Sequence, residues 1–217
     1  MKALVFDMDG TLVDSHELAY RSALDGLRGF YEERRRVPIL PSREEVRALV
    51  GLPSLEYFAR LVSPEFRREA PEIRARVSEE EVRRLAAGEA ALYPGVRETL
   101  EELRREWKLG LVSNCGRVYF EANLRTLLDG LFGVALCLDD GPSKTENVRA
   151  ALRRLDSCDG VMVGDRAADL EAGRASGLAT VGCAYGFGTR EELASADAVI
   201  ETFPELRIVL TRFRNDA

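Results

Sequence analysis

Short apolar runs alternate with amphipathic stretches along most of this chain. The first run, Ala3 to Phe6, stops abruptly at two acids, Asp7 and Asp9. From about residue 94 the alternation becomes regular. Apolar runs at Leu109–Val112, Val134–Leu138, Gly160–Val163, Ala179–Gly182 and Ala198–Ile200 have the length and continuity of buried strands. Between them, Val96–Glu106, Val118–Leu128, Thr145–Leu155, Ala167–Ser176 and Arg190–Ala194 carry helical periodicity, and a last helix is predicted near Pro204–Arg212. Gly177 follows its helix as a C-terminal cap would. Strand–helix alternation of this kind predicts an α/β fold, a parallel sheet with helices on both faces.

Residues 16 to about 92 break the rhythm and carry no strand signal. Ser42-Arg43-Glu44-Glu45 and Ser78-Glu79-Glu80-Glu81 both fit the capping box that opens a helix. Pro38, Pro41, Pro53, Pro64 and Pro71 divide the stretch into helical pieces. A helical insert, 16–92, is therefore expected within an α/β core made of 1–15 and 93–217. Its crossing segments, Asp14–Ser15 and Leu92–Gly95, would form the hinge. The chain shows no internal repeat and no low-complexity tract.

Composition narrows the function. The 217 residues are 46% hydrophobic and 31% charged, as in an ordinary globular protein, and the net charge of −6 gives no field attracting nucleic acid or an anionic membrane. Arginine clusters such as Arg34-Arg35-Arg36 and Arg153-Arg154 are interleaved with Glu and read as solvated helix faces. The four cysteines are scattered and His16 is the one histidine, which argues against a Cys/His zinc site. Only four apolar residues separate Lys2 from Asp7, too few for a signal-peptide core, and no stretch approaches a membrane span. A cytoplasmic monomer or homodimer with reduced thiols is expected.

The chemistry collects at strand ends, where open parallel sheets place their active sites. On an extended chain residues i and i+2 point the same way, so Asp7 and Asp9 converge while Met8 faces away. The second strand runs into Ser113-Asn114. The third leads through Asp139-Asp140-Gly141 to Lys144, one of three lysines in the chain, and the fourth ends in Gly164-Asp165 with Asp169 four residues on. Four acids beside one lysine require a further cation, and an all-oxygen donor set suits Mg²⁺. Magnesium with an adjacent Lys and Ser suits a phosphoryl group, and the turn after Ser113 can add backbone N–H donors through Asn114 to Gly116.

Asp7-Met8-Asp9-Gly10-Thr11-Leu12-Val13-Asp14-Ser15, then Ser113, Lys144 and Gly164-Asp165-Arg166-Ala167-Ala168-Asp169, resemble the four ordered motifs of the haloacid dehalogenase superfamily. The run from Asp169 to Gly177, with Gly182 to Gly188, is similar to its phosphoglycolate phosphatase-like branch. The resemblance covers roughly 140 residues of core; the insert matches that superfamily's small helical cap in type and position only. Ser143-Lys144-Thr145 departs from the Lys-Pro common at the third motif of the branch.

The resemblance implies a Rossmann-like fold and a phosphatase in which Asp7 is the nucleophile, forming an aspartyl phosphate. Asp9 would protonate the leaving oxygen and then activate water. Mg²⁺ would rest on the Asp7 carboxylate, the Asp9 main-chain carbonyl and Asp165, with Asp169 behind them or as an alternative ligand. Ser113, Asn114 and Lys144 would bind the phosphoryl oxygens, and Thr11 would order the loop beside them. Asp139, Asp140 and His16 read as turn or packing residues. Asp9 argues against dehalogenation, which needs no proton donor, and an insert without lysine argues against phosphonate hydrolysis by a Schiff base. A sugar-phosphate mutase uses the same core groups, and a silent phosphate-binding protein would be expected to have lost at least one of them. A receiver domain would explain neither the insert nor Asp9. The substrate is expected to be a small phosphorylated metabolite, phosphoglycolate-like if Arg47 reaches a second anion. Tyr57 and the Gly51-Leu52-Pro53-Ser54 loop are the other candidates for specificity.

Overall fold

A computed structural model describes residues 1–214. Six parallel strands form the central sheet: β1 (Ala3–Phe6), β4 (Lys108–Val112), β5 (Val134–Leu136), β6 (Gly160–Gly164), β7 (Ala179–Cys183) and β8 (Ala198–Ile200). Their order is β5-β4-β1-β6-β7-β8, with Leu4 level with Leu109 on one side and Val161 on the other. Central β1 is buried on both faces, which accounts for its unbroken apolar run. Leu4 and Phe6 join the larger core on one face, and Ala3 and Val5 join Val112, Val148 and Met162 on the other.

Helices α5 (Val96–Leu103), α6 (Arg117–Thr126), α7 (Lys144–Arg154), α8 (Ala167–Ala175), α9 (Arg190–Leu193) and α10 (Leu206–Arg214) link or follow the strands. Each predicted strand and helix of this region is found within a few residues of its expected limits. Gly177 takes φ +77°, the left-handed conformation of a helix terminator.

Between β1 and α5 the chain forms α1 (His16–Glu33), α2 (Arg43–Leu49), α3 (Ser54–Arg60), a 3₁₀ turn (Pro64–Glu69) and α4 (Ala70–Ala86). These helices have their own core, in which Leu27, Phe30, Tyr31, Phe58, Ile73 and Val77 meet. Helices α1 and α4 pack so closely at Gly26 that a Cβ there would lie 2.6 Å from Val77 Cγ2.

Two expectations need correction. The Ser42–Glu45 capping box is present, but Ser78–Glu81 opens no helix. It lies inside α4, which begins earlier with Pro71 in its first turn, where a missing N–H costs nothing. The crossing segments are also not plain linkers. Val13–Asp14 (β2) pairs antiparallel with Ala91–Leu92 (β3), a ribbon too short to leave a hydrophobic pattern.

Candidate active site

The loop after β1 turns on backbone bonds from the Leu12 and Val13 N–H groups to the Met8 carbonyl, 2.9 and 3.0 Å. Met8 is buried in the core, so the acids on either side of it face the sheet's carboxyl edge. Gly10 takes φ +78°, and a Cβ there would come within 2.4 Å of Asp165 Oδ2. Only glycine allows the loop to press so closely against that carboxylate.

Asp165, fully buried at the end of β6, is anchored on both oxygens. Thr11 Oγ1 donates to one at 3.0 Å and the Phe187 N–H to the other at 2.7 Å. Asp169, in the first turn of α8, accepts from the Arg166 N–H at 2.9 Å. Lys144 enters from the start of α7 and donates to Asp7 Oδ1 at 2.5 Å, and it also forms an ion pair with Asp169. Carboxylate oxygens of Asp7, Asp165 and Asp169 lie within 4.8 Å of one another. Ser113 is buried at the end of β4, its N–H bonded to Leu136 O at 3.0 Å, with Asn114 beside it.

Asp9 behaves differently. Its carboxylate stands outside the group of three and accepts a 2.8 Å hydrogen bond from Tyr119 Oη on α6. Burial raises its pKa, opposed by the nearby Ser15 hydroxyl and by the Tyr119 hydrogen bond. Burial also drives Asp7 well above the usual carboxylate range, with Lys144 opposing and the charges of Asp169 and Asp165 adding to the rise. Asp165 is pushed up to about 7, chiefly by burial and then by Asp169. Burial lowers the Lys144 pKa, but the Asp169 and Asp7 carboxylates outweigh it and the net shift is upward. Three buried acids against one ammonium leave excess negative charge, the condition under which a cation is held. Their oxygen-only donors fit Mg²⁺.

A cavity of about 70 Å³ lies between this site and the helices α1–α4. Gly51, Leu52, Ser54, Tyr57, Ser78 and Glu81 are among the residues that wall it on the helical side, and Asn114, Cys115 and Tyr119 on the sheet side. The segment 47–51, the end of α2 and the turn after it, is fastened over it by hydrogen bonds from Asn114, Arg47 and Arg166, the last reaching both Arg47 O and Ala48 O. Asn114 Nδ2 donates to Gly51 O at 2.9 Å, Arg166 Nη2 to Ala48 O at 3.2 Å, and Arg47 Nη2 to Gly186 O at 3.2 Å. Arg47 is thus a fastening rather than a wall of the cavity.

Sequence reasoning missed Tyr119 and Glu81. Glu81 continues the buried stripe Ile73–Val77 toward Leu85, and an acid in an apolar stripe is the signal that could have marked it. Asp139 and Asp140 are structural, as expected: Asp139 accepts from the Arg117 N–H at 2.7 Å and Asp140 from the Cys137 N–H at 2.8 Å. His16 stacks on Phe187 at 4.0 Å between ring centroids.

The acid–lysine cluster thus lies at the carboxyl edge of a Rossmann-like parallel sheet. Residues 1–177 match the haloacid dehalogenase-like hydrolases, and the chain belongs to that family. It is 30% identical to the pyrophosphatase PpaX of Anoxybacillus flavithermus across 97% of each chain. Among solved structures it resembles CbbY from Rhodobacter sphaeroides in complex with phosphate, with 28% identity, a TM-score of 0.80 and coverage of 95% of this chain and 96% of that one. A predicted phosphoglycolate phosphatase from Haemophilus somnus shares the fold at a TM-score of 0.83, with 22% identity over 96% and 97% of the two chains.

Proposed function

We propose that this enzyme is a Mg²⁺-dependent phosphatase that hydrolyses a small phosphate monoester through an aspartyl phosphate on Asp7. The observation that carries the reading is the division of labour between the two acids. Asp7 is gripped by Lys144 within the acid cluster, while Asp9 is held apart from it by Tyr119. The names of the relatives, a pyrophosphatase and a protein solved with phosphate, support phosphoryl chemistry.

Asp7 Oδ attacks phosphorus, and the bond to the leaving alcohol breaks as the acyl phosphate on Asp7 forms. Asp9, whose raised pKa favours the protonated form, gives its proton to the departing oxygen. It then takes a proton from the water that attacks phosphorus, which frees Asp7 and releases phosphate. Lys144, Ser113 and the N–H groups after it neutralise or bond the phosphoryl oxygens. Asp7, Asp165 and the Asp9 main-chain carbonyl would hold Mg²⁺, with Asp169 keeping Lys144 in place. When bound, the ion supplies positive charge to the phosphoryl oxygens in the transition state.

Helices α1–α4, within 16–92, serve as a cap on a core of 1–15 and 93–217, with the β2–β3 ribbon as its hinge. Four free cysteines suit a reducing cytoplasm, and among the described residues no helix is long and apolar enough to cross a membrane.

The test is phosphate release from p-nitrophenyl phosphate with and without Mg²⁺, beside Asp7→Asn. Loss of the nucleophile should lower kcat by roughly three orders of magnitude or more. Turnover that survived Asp7→Asn would overturn the covalent route.

A further inference from the structure

The walls of the cavity beyond Asp9 specify the group that leaves. A second anion on the substrate, such as the carboxylate of phosphoglycolate or the distal phosphate of pyrophosphate, would need a cation or converging N–H donors when buried. Among the described residues, the cavity lining contains no arginine, lysine or histidine. The cations nearby are committed elsewhere. Arg47 bonds the Gly186 carbonyl, Arg74 pairs with Asp139 at 2.6 Å, Arg84 is held between Asp25 and Glu89, and Lys144 lies against Asp7 and Asp169.

The walls are otherwise largely apolar, through Ala19, Val50, Leu52 and Phe58, with a few uncharged or acidic polar groups set among them. Ser54 and Ser78 present hydroxyls, Asn114 lines the sheet side, and Glu81 is buried on α4. Tyr57 is more telling. It is 7% exposed, and its Oη is buried with no hydrogen-bond partner among the described residues. A phenol left unsatisfied in a cavity wall costs stability in the empty protein, and a ligand hydroxyl removes that cost. The cavity is also small, about 70 Å³, and Asp7 and Ser113 are among its walls, so the phosphoryl group shares it with the leaving group and favours a small one.

We infer that the leaving group is a small neutral alcohol bearing further hydroxyls, so that the substrate is the phosphate monoester of a short polyol rather than a pyrophosphate or a phosphorylated acid. This rests on the phosphatase reading above and deepens it. Burial above all pushes the Glu81 carboxyl up to about 8, and burial raises the Tyr57 phenol. Near neutral pH both are then hydrogen-bonding groups without charge, and above it Glu81 adds repulsion toward any anion.

The experiment compares kcat/KM for glycerol 3-phosphate, 2-phosphoglycolate, pyrophosphate and p-nitrophenyl phosphate on the wild-type enzyme with Mg²⁺, and repeats it with Tyr57→Phe. Glycerol 3-phosphate should exceed both competitors that carry a second anionic group by at least about ten-fold, the size expected for one unpaired buried charge or lost bond. Tyr57→Phe should reduce kcat/KM for glycerol 3-phosphate about ten-fold, through KM, with a smaller loss for p-nitrophenyl phosphate, which has no hydroxyl to present. If 2-phosphoglycolate or pyrophosphate ranks above glycerol 3-phosphate, the inference is wrong and the phosphatase reading stands. Equal losses in Tyr57→Phe for both esters would remove Tyr57 from recognition and overturn its part. No turnover of any of the four would overturn the phosphatase reading and the inference with it.

Discussion

Tyr119 binds the one carboxylate of the site that must change protonation state during the proposed cycle. Its Oη donates to Asp9 Oδ1 at 2.8 Å and is itself buried beside Glu81 and Cys115 in the cavity wall. A neutral phenol aimed at a carboxylate orients it and favours its ionised form, the form that accepts a proton from water in the second step. Tyr119→Phe should therefore reduce kcat about ten-fold with KM little changed, as expected for one hydrogen bond to a charged group. Steady-state kinetics on p-nitrophenyl phosphate checks this, and a loss confined to KM would place Tyr119 in binding instead. Much of this chemistry is legible in the sequence, because i and i+2 geometry brings Asp7 and Asp9 to one side of the chain. The Lys144–Asp7 bond spans 137 positions, so its geometry comes from the sheet order and not from any local pattern. Tyr119 lies on a helix whose amphipathic pattern gives it the same reading as any core aromatic, which is why it went unmarked.

At the scale of elements, the two long helices of the helical unit depend on a glycine at their crossing. Gly26 of α1 leaves a Cβ no room, since Val77 Cγ2 would be 2.6 Å away and Val77 Cα 3.1 Å. Gly29, one turn further along α1, has nothing nearer than the flexible tip of Arg76 at 3.9 Å. Gly26→Ala should destabilise the protein by about 2 kcal/mol through overpacking, lowering Tm by roughly 4–8 °C. Gly29→Ala should stabilise it by about 0.5–1 kcal/mol through helix propensity alone. Thermal denaturation of the pair decides the matter, and equal shifts would mean the helices are free to separate at Gly26. The contrast also marks where the sequence was readable. Strands and helices of the sheet region announce themselves because the inner strands β1, β4, β6 and β7 are buried over most of their length and so are largely apolar. Ser-x-x-Glu, by comparison, opens α2 at Ser42 but recurs inside α4 at Ser78, since the pattern records spacing and not which backbone groups lack partners. The two-residue strands β2 and β3 are too short for any period to show.

Over the whole molecule the acid cluster ties fold stability to metal and pH. Asp7 and Asp165 are both buried with pKa values raised above their ordinary range, Asp165 to about 7. The metal-free folded state then binds more protons than the unfolded chain. The stabilisation from these protons is complete below the unfolded carboxylate range, near pH 4, and is lost as pH rises through the folded values. A divalent cation bound there would take the place of those protons, competing with them at low pH and meeting vacated carboxylates at high pH. Saturating Mg²⁺ at about a hundred times its Kd should contribute roughly 2.7 kcal/mol, or about 5–10 °C in Tm for a chain of this size. The increase should be largest at pH 8 and small at pH 5. Chelation with EDTA should reverse it. Asp165→Asn should weaken the Mg²⁺ response at pH 8 while making the metal-free protein less sensitive to pH, because one of the two raised carboxyls is gone. Differential scanning fluorimetry at the two pH values, with and without Mg²⁺, reads all of these quantities. A Tm gain equal at pH 5 and pH 8 would show that the ion binds away from Asp7 and Asp165, and the electrostatic account of the site would fall with it.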